Sequence, residues 1–600
     1  MSEIAAAKAP AAAPSGLNPD VIAFFVWAGL VLVFALPLRN ASVYDMLSTD
    51  DAMRLVQVRD LLGGQAWFDM MQHRVNAPAG LAMHWSRLVD MPLALMMLAL
   101  KPFVGAAAAE ATAITIWPIL LLAPALLLVG RIGRTLAGNN GAVAALLLSA
   151  MSVPALVHYQ PGSIDHHNLQ ILLTLAATHW AMRLESGWRN GFLAGLSAAA
   201  SLAVGLEMLP ALAAIGAAAA VMLVVRGAPM SRPALSFGLS LAGCTAALSV
   251  VLVPPGTYMR PVCDALGGPV LLLAAGAGLA MAAFALAAAR LASPLARIAA
   301  GIACVAPVAG AVAYCFPDCL GAPYGMVDPL VQKLWLATVS ETIPVGKALR
   351  TMPQESFAVF GFPILAMIGG ALCLWRCEAR LRLPFAVATA AILAHFCVSL
   401  WEIRGASAAA LASAPVLAAA LALALEARKV STALRLTIAA LVVSPISLLC
   451  AGGAFAAAFV PGAKEEVADG NAPASCPHIG DAVPLAALPA GRVMTFIDLG
   501  PSILAETAHT VYAAPFHRNS DGNSAMLKIM MGAPDAARAM LVAKKADYLA
   551  ICPGAPEQYN IGKFAPDGLA MRLQRGERFG FLQPQALEGN GHIKVWKVVP

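Results

Sequence analysis

The chain has 600 residues, of which 60% are hydrophobic and 12% charged, and its mean hydropathy is +0.75. Soluble domains carry about twice that charged fraction, so an ordinary soluble enzyme is excluded and a polytopic α-helical membrane protein is implied. The formal net charge of +6 does not point to a nucleic-acid partner, because the basic residues are spread over short connectors between apolar runs.

Residues 1–20 are Ala/Pro-rich at the start and lack an apolar core, so a cytoplasmic tail is expected and no cleavable signal peptide. The run 21–38 then serves as its own insertion signal. Apolar runs long enough to cross about 30 Å of hydrocarbon follow at 110–130, 140–158, 168–183, 191–207, 209–225, 234–254, 267–289, 298–316, 357–375, 384–400, 406–426 and 436–457. That gives about thirteen expected transmembrane helices within 21–457.

Alternate connectors carry Arg131 and Arg134, Arg183 and Arg189, Arg226 and Arg232, Arg290 and Arg297, Arg376 to Arg382, and Arg428 to Arg435. By the positive-inside rule these face the cytoplasm. The loops 39–109, 159–167 and 317–356 and the tail 458–600 then lie on the outer, periplasmic side of a bacterial inner membrane. Within the first loop, 53–62 reads as an amphipathic helix and 91–103 as a short apolar one, both expected along the outer membrane face.

The tail has the composition of a small α/β domain, with strands expected at 493–497, 511–515, 548–552 and 592–598 and helices at 525–531 and 534–545. Of eleven cysteines, five lie in or beside apolar runs and Cys377 in a cytoplasmic connector. Cys315 with Cys319, and Cys476 with Cys552, are candidate disulfides on the oxidising side, and Cys263 has no obvious partner.

Chemistry concentrates in three outer loops. The stretch 161–170 contains Asp165, His166 and His167 between two apolar runs, where ionisable groups are costly and face water, a partner or an ion. A plainer reading has Asp165 capping the helix that follows. Asp50 and Asp51 end the first polar stretch after the first span, and Glu341 sits in the late loop. Hard oxygen ligands suit divalent cations, and manganese tolerates imidazole more readily than magnesium does. Asp50 or Asp51 with Asp165 and His167 therefore forms a candidate site for Mn2+ or Mg2+. The same residues would also serve a proton relay in a transporter.

The order of these motifs resembles a known family. Ser48-Thr49-Asp50-Asp51, then Asp165-His166-His167, then Val339-Ser340-Glu341, then Arg404 look like the motif series of the oligosaccharyltransferase catalytic subunits such as AglB and PglB, which have the GT-C fold. Val493 to Gly500 is similar to the family's Trp-Trp-Asp-Tyr-Gly region. The resemblance implies a membrane glycosyltransferase moving a sugar or glycan from a polyprenyl phosphate or pyrophosphate donor to an acceptor outside the cytoplasm. It implies catalytic roles for Asp51, Asp50 and Glu341, a metal on Asp51, Asp165 and His167, and donor phosphate on Arg404. Asp498, His517 and Arg518 would touch acceptor or sugar.

Two departures bear on specificity. His167 replaces an acidic ligand, and Phe496 and Ile497 replace the paired tryptophans that read the hydroxyl residue of an Asn-x-Ser/Thr sequon. A protein, lipid or polysaccharide acceptor other than the sequon is therefore expected. Simpler roles are open for three residues: Glu341 as a solvated loop residue, Arg404 as an interface anchor, and Asp498 as a turn cap before Gly500. The alternative class is a transporter or lipid flippase, whose mark would be charges within the spans. Glu207 and His395 are nearly all the spans contain.

Overall fold

The computed structural model describes residues 18–321, 324–426, 431, 444–460, 479–589 and 592–599. Most of the expected cytoplasmic tail, Arg428, Lys429 and Arg435, the first part of the run 436–457, and Cys476 lie outside the described residues.

Among the described residues eight helices are long and apolar enough to cross a membrane, and Pro19–Ala35 and Pro445–Phe459 are shorter apolar helices. The expected runs 110–130 and 140–158 form a single hairpin, α1 (Ala106–Ser149), whose backbone leaves helical geometry at Ala137 and at Gly138, where φ is 67°. The left-handed φ suits glycine. A Cβ on Gly133 would stand 2.7 Å from the Gly141 carbonyl oxygen, so only glycine lets the arms approach this closely.

Helices α2 (His167–Ala181) and α3 (Trp188–Val204) occupy the runs expected at 168–183 and 191–207. The chain then continues through Leu209–Arg226, Ala228–Leu252, Gly268–Ala288, Pro294–Cys315, Pro353–Arg376, Ala379–Trp401 and Gly405–Glu426. One apolar core fills this bundle, with Leu126, Val129, Ile215, Phe385 and Leu411 fully buried or nearly so. Helices Arg87–Val104 and Pro294–Cys315 keep Leu95, Leu98, Phe103, Ile302 and Val305 exposed, which suits apolar surroundings.

A second core joins the C-terminal domain to the loops 39–109 and 317–356. Its five-stranded mixed sheet comprises β1 (Arg492–Thr495), β2 (Thr510–Val511), β3 (Tyr548–Ile551), β4 (Leu582–Gln585) and β5 (Lys594–Val598), in the order β2-β1-β3-β5-β4. β1 runs parallel to β2 and to β3, whereas β5 is antiparallel to β3 and to β4. The edge strand β4 escapes sequence reading because Pro584 sits inside it, a residue that demotes a run to edge or non-strand.

The helix expected at 53–62 along the membrane face is instead Thr49–Leu62, and Asp51 to Val58 are all buried. It lies under the C-terminal domain. The first loop also extends the β2 edge: Asn76 N–H donates to the Val511 carbonyl at 2.7 Å, and Val511 N–H to that of Arg74 at 2.9 Å. Arg74 caps the carbonyls of Leu504, Thr507 and His509, and Arg59 donates to that of Ala505 while paired with Glu110. These bonds fix the domain to the first loop.

The expected Cys315–Cys319 pair is corrected by the structure. Cys319 is bonded to Cys263, and Cys315 is free and exposed. The helix ends at Cys315 and a tight turn, Pro317–Leu320, swings Cys319 toward the 253–267 loop, which wraps past Phe316 at Gly268. Cys552 is disulfide-bonded, but its expected partner Cys476 lies outside the described residues.

Candidate active site

Ser48 begins the site. Its hydroxyl accepts the Asp51 N–H, and the Asp51 carboxylate returns to the Ser48 N–H, closing a capping box at the start of Thr49–Leu62. The other oxygen of Asp51 reaches across to the second loop, accepting the N–H groups of Ile164 at 2.7 Å and Asp165 at 2.8 Å. With Ser48 N–H at 3.0 Å and Ser48 Oγ at 2.6 Å on Oδ2, Asp51 receives four donors. A carboxylate offers about four lone-pair sites, so Asp51 is saturated as a clamp between the two loops.

Asp50, one residue earlier, lines a cavity together with His166, His167, Glu341 and Arg404. Four stretches of sequence thus meet at one place. No donor among the described residues is hydrogen-bonded to the Asp50 side chain; burial, then the charges of Asp165, Glu341 and Asp51, push its carboxyl well above the ordinary range, with His166 opposing.

Asp165 does not cap the next helix. His166 takes the N-cap position and no side-chain cap bond forms there. Asp165 Oδ1 instead receives Arg54 at 3.0 Å and His166 Nδ1 at 2.7 Å. Its Oδ2 is buried without a hydrogen-bond partner, 3.6 Å from His167 Nε2. Burial pushes this carboxyl up, but His166, His167 and Arg54 overcome that and hold it well below the usual carboxylate range. Arg54 is completely buried, pairs with Asp90 at 3.0 Å and lies 4.1 Å over the Trp85 ring.

Two further acids are not singled out by sequence motifs. Glu207 sits in the break after α3 and accepts from His166 Nε2 at 3.0 Å and Gln170 Nε2 at 2.6 Å. Burial lowers the His166 pKa, but Asp165 and Glu207, one on each ring nitrogen, raise it to about 10. Gly205 makes this break possible, because a Cβ there would stand 2.5 Å from both Gln170 Nε2 and Glu207 Oε2. Glu402 pairs with Arg404, which also donates to the Tyr324 hydroxyl at 2.9 Å. The loop carrying Glu341 is pinned beside Arg404 by the Arg404 N–H to Glu341 carbonyl bond at 3.2 Å.

A second, largely apolar cavity adjoins the first and shares His167, Glu341 and Arg404 with it. Val157, Ile171, Met208, Val359 and Ile403 supply its walls. Phe496 and Ile497 are buried in the core of the C-terminal domain. Of the C-terminal residues expected to touch substrate, His517 lines the first cavity. Arg518 is turned to Asp264, and Asp498 lies outside the lining, its N–H donated to Glu557 at 3.2 Å.

No family model matches the sequence, and no curated protein matches it. Among solved structures, the chain is similar to the oligosaccharyltransferase of the archaeon Archaeoglobus fulgidus. The apo form superposes with a TM-score of 0.66 at 15% identity, covering 95% of this chain and 72% of that one. The form in complex with an inhibitory peptide and a dolichol-phosphate gives 0.65 at 15% identity, covering 94% and 72%. The form tethered with an acceptor peptide containing the NVT sequon gives 0.64 at 14% identity, covering 96% and 74%. At this identity the likeness establishes a shared fold, the GT-C membrane fold with a C-terminal α/β domain.

Proposed function

We propose that the chain is a membrane glycosyltransferase that moves a sugar or glycan from a polyprenyl phosphate or pyrophosphate carrier to an acceptor on the periplasmic side of a bacterial inner membrane. The observation that carries this reading is the meeting of Asp50, His167, Glu341 and Arg404, far apart in the chain, around one cavity. The adjoining apolar cavity has the chemistry for the first isoprene units of a lipid carrier. An archaeal neighbour was solved with dolichol-phosphate.

The residues fit a divalent cation. Asp165 Oδ2 is a buried acceptor without a donor, and the Asp50 carboxyl is crowded by other acids, with His166 opposing them. Asp50, Asp165 and His167 would hold the ion, and the imidazole favours Mn2+ over Mg2+. Asp51 leaves the ligand set expected from sequence, because its lone pairs are used in positioning the Asp165 loop. When bound, the cation offsets the charge that builds on a departing phosphate.

The protein's own groups do the rest. Arg404, always charged, binds phosphate oxygens through its fork of N–H donors, while Glu402 and Tyr324 orient it. Glu341 faces the same cavity and takes the proton of a hydroxyl acceptor or orients an amide one. His166, held between Asp165 and Glu207, fixes the neighbouring His167. With Phe496 and Ile497 inside the domain core, this region presents no indole N–H to a sequon hydroxyl, so the reading is a non-sequon acceptor.

Purified protein in liposomes, given a polyprenyl-linked donor and a fraction of surface lipid, polysaccharide or exported protein, tests the proposal. Asp50→Asn and Asp165→Asn should each lower transfer by at least about 100-fold while the protein stays inserted. Full transfer in both variants overturns it.

A further inference from the structure

We propose that His84, Asp264 and His517 form a zinc-binding site, separate from the Asp50, Asp165 and His167 cluster, that ties the C-terminal domain to two outer loops of the membrane domain. The three residues come from the first loop, from the loop after Ala228–Leu252, and from the C-terminal domain. Each offers one ligand atom, and the three atoms lie within 4.8 Å of one another. The His84 and His517 rings are 4.9 Å apart, and His517 Nε2 is 2.6 Å from Asp264 Oδ2.

Among the described residues nothing bonds to His84 Nδ1, which is buried. A lone pair held in that setting is suited to a metal. Two imidazoles and one carboxylate are a zinc donor set, of the kind that leaves a fourth position open. Magnesium and calcium prefer oxygen-only surroundings. Ligands on a tetrahedral zinc with bonds of about 2.0–2.2 Å stand about 3.4 Å apart, so side-chain rotation has to close the widest pair and to open the 2.6 Å contact between His517 and Asp264.

The surroundings are preorganised. Arg518 donates to Asp264 through Nε at 2.8 Å and through a terminal nitrogen to the other oxygen, the outer-shell arrangement that orients a ligating carboxylate. Cys263, next to Asp264, is tied by its disulfide to Cys319, which limits the travel of this loop. His84 and His517 also line the cavity that holds Asp50 and Arg404, so an ion held here would border the proposed reaction site.

Full-length protein in nanodiscs, stripped with a chelator, reloaded with zinc and washed, is analysed for metal per polypeptide. His84→Gln and His517→Gln should each hold one zinc fewer than the wild type, whereas Asp165→Asn should keep the zinc bound here. Arg518→Gln should weaken this zinc about 10–100-fold. Zinc should also protect His84 and His517 of the unmutated protein from diethyl pyrocarbonate, a readout that needs no variant to fold. Equal zinc content in the wild type and both histidine variants, or unprotected His84 and His517 in zinc-loaded wild type, overturns the proposal. Because the Asp165 variant reads the other cluster, failure here leaves the proposed transferase reading standing, and the reverse.

Discussion

Adjacent aspartates with opposite duties make the sharpest test of the site. Asp51→Ala removes the acceptor for two buried N–H groups, those of Ile164 and Asp165, and each orphaned donor costs about 1–3 kcal/mol. Loss of the capping box with Ser48 costs about 1 kcal/mol more. Burial and the charge of Asp165 disfavour ionised Asp51, so removing it returns part of this, and the expected net loss is about 3–5 kcal/mol. Asp50→Asn removes no hydrogen bond and relieves repulsion from Asp165, Glu341 and Asp51, so stability should hold or rise. Thermal unfolding followed by tryptophan fluorescence, with chelator and then with Mn2+, separates the two. Asp51→Ala should melt lower in both conditions. Asp50→Asn should melt like wild type with chelator, fail to gain from Mn2+, and lose transfer. An Asp51→Ala protein as stable as wild type, or an Asp50→Asn protein less stable than Asp51→Ala, would refute the assignment of clamp and ligand.

Arg54→Met should destabilise by about 3 kcal/mol, the low end for breaking a buried pair, because it takes the shared cation from Asp90 and Asp165 while Arg87 stays on Asp90 and His166 on Asp165; a melting point equal to wild type would contradict the buried network. Cys263→Ser and Cys319→Ser should each destabilise by about 2–4 kcal/mol, as expected for opening a cross-link that spans 56 residues. Cys315→Ser should be neutral, and peptide mapping without reductant should recover a Cys263–Cys319 pair. Burial, then Asp498, holds the Glu557 carboxyl well above its ordinary range, against the N–H groups of Asp498 and Ile497. A raised acid pKa contributes stability that is complete below the unfolded-state pKa and is lost as pH climbs through the folded value. The melting point of Glu557→Gln relative to wild type should therefore rise from pH 5 to pH 9, and a flat difference would exclude the raised pKa.

Most spans, four of the five sheet strands and the three acidic loops were legible because each rests on local signals: apolar length, period-two alternation, and ionisable residues beside membrane runs. The burial of Thr49–Leu62 was not. Arg54, Gln57 and Asp60 recur every third residue and give the polar stripe that reads as a water-facing edge. Arg54 and Gln57 instead face buried Asp90, and Asp60 meets Gln72. A stripe cannot announce whether its partner is solvent or a carboxylate more than thirty residues away. The disulfide misled for a related reason, since Cys315 and Cys319 are close in sequence while Cys263 owes its pairing to the fold of a loop.

Glu207 shows where a local signal was available. A lone carboxylate in an apolar run followed by Pro210, after Gly205, marks a broken helix rather than a charged span. The break turns Glu207 toward His166, the same residue that Asp165 grips from the other side. A cationic imidazole between two acids screens Asp165 and Glu207 but leaves Asp50 facing Asp165 and Glu341 with little relief. That imbalance, together with the empty acceptor on Asp165 Oδ2, gives the cavity its demand for positive charge, since Arg404, which also lines it, is already matched by Glu402. The proposed divalent ion would meet that demand and, once bound, would draw in the phosphate that Arg404, paired as it is, would hold weakly alone.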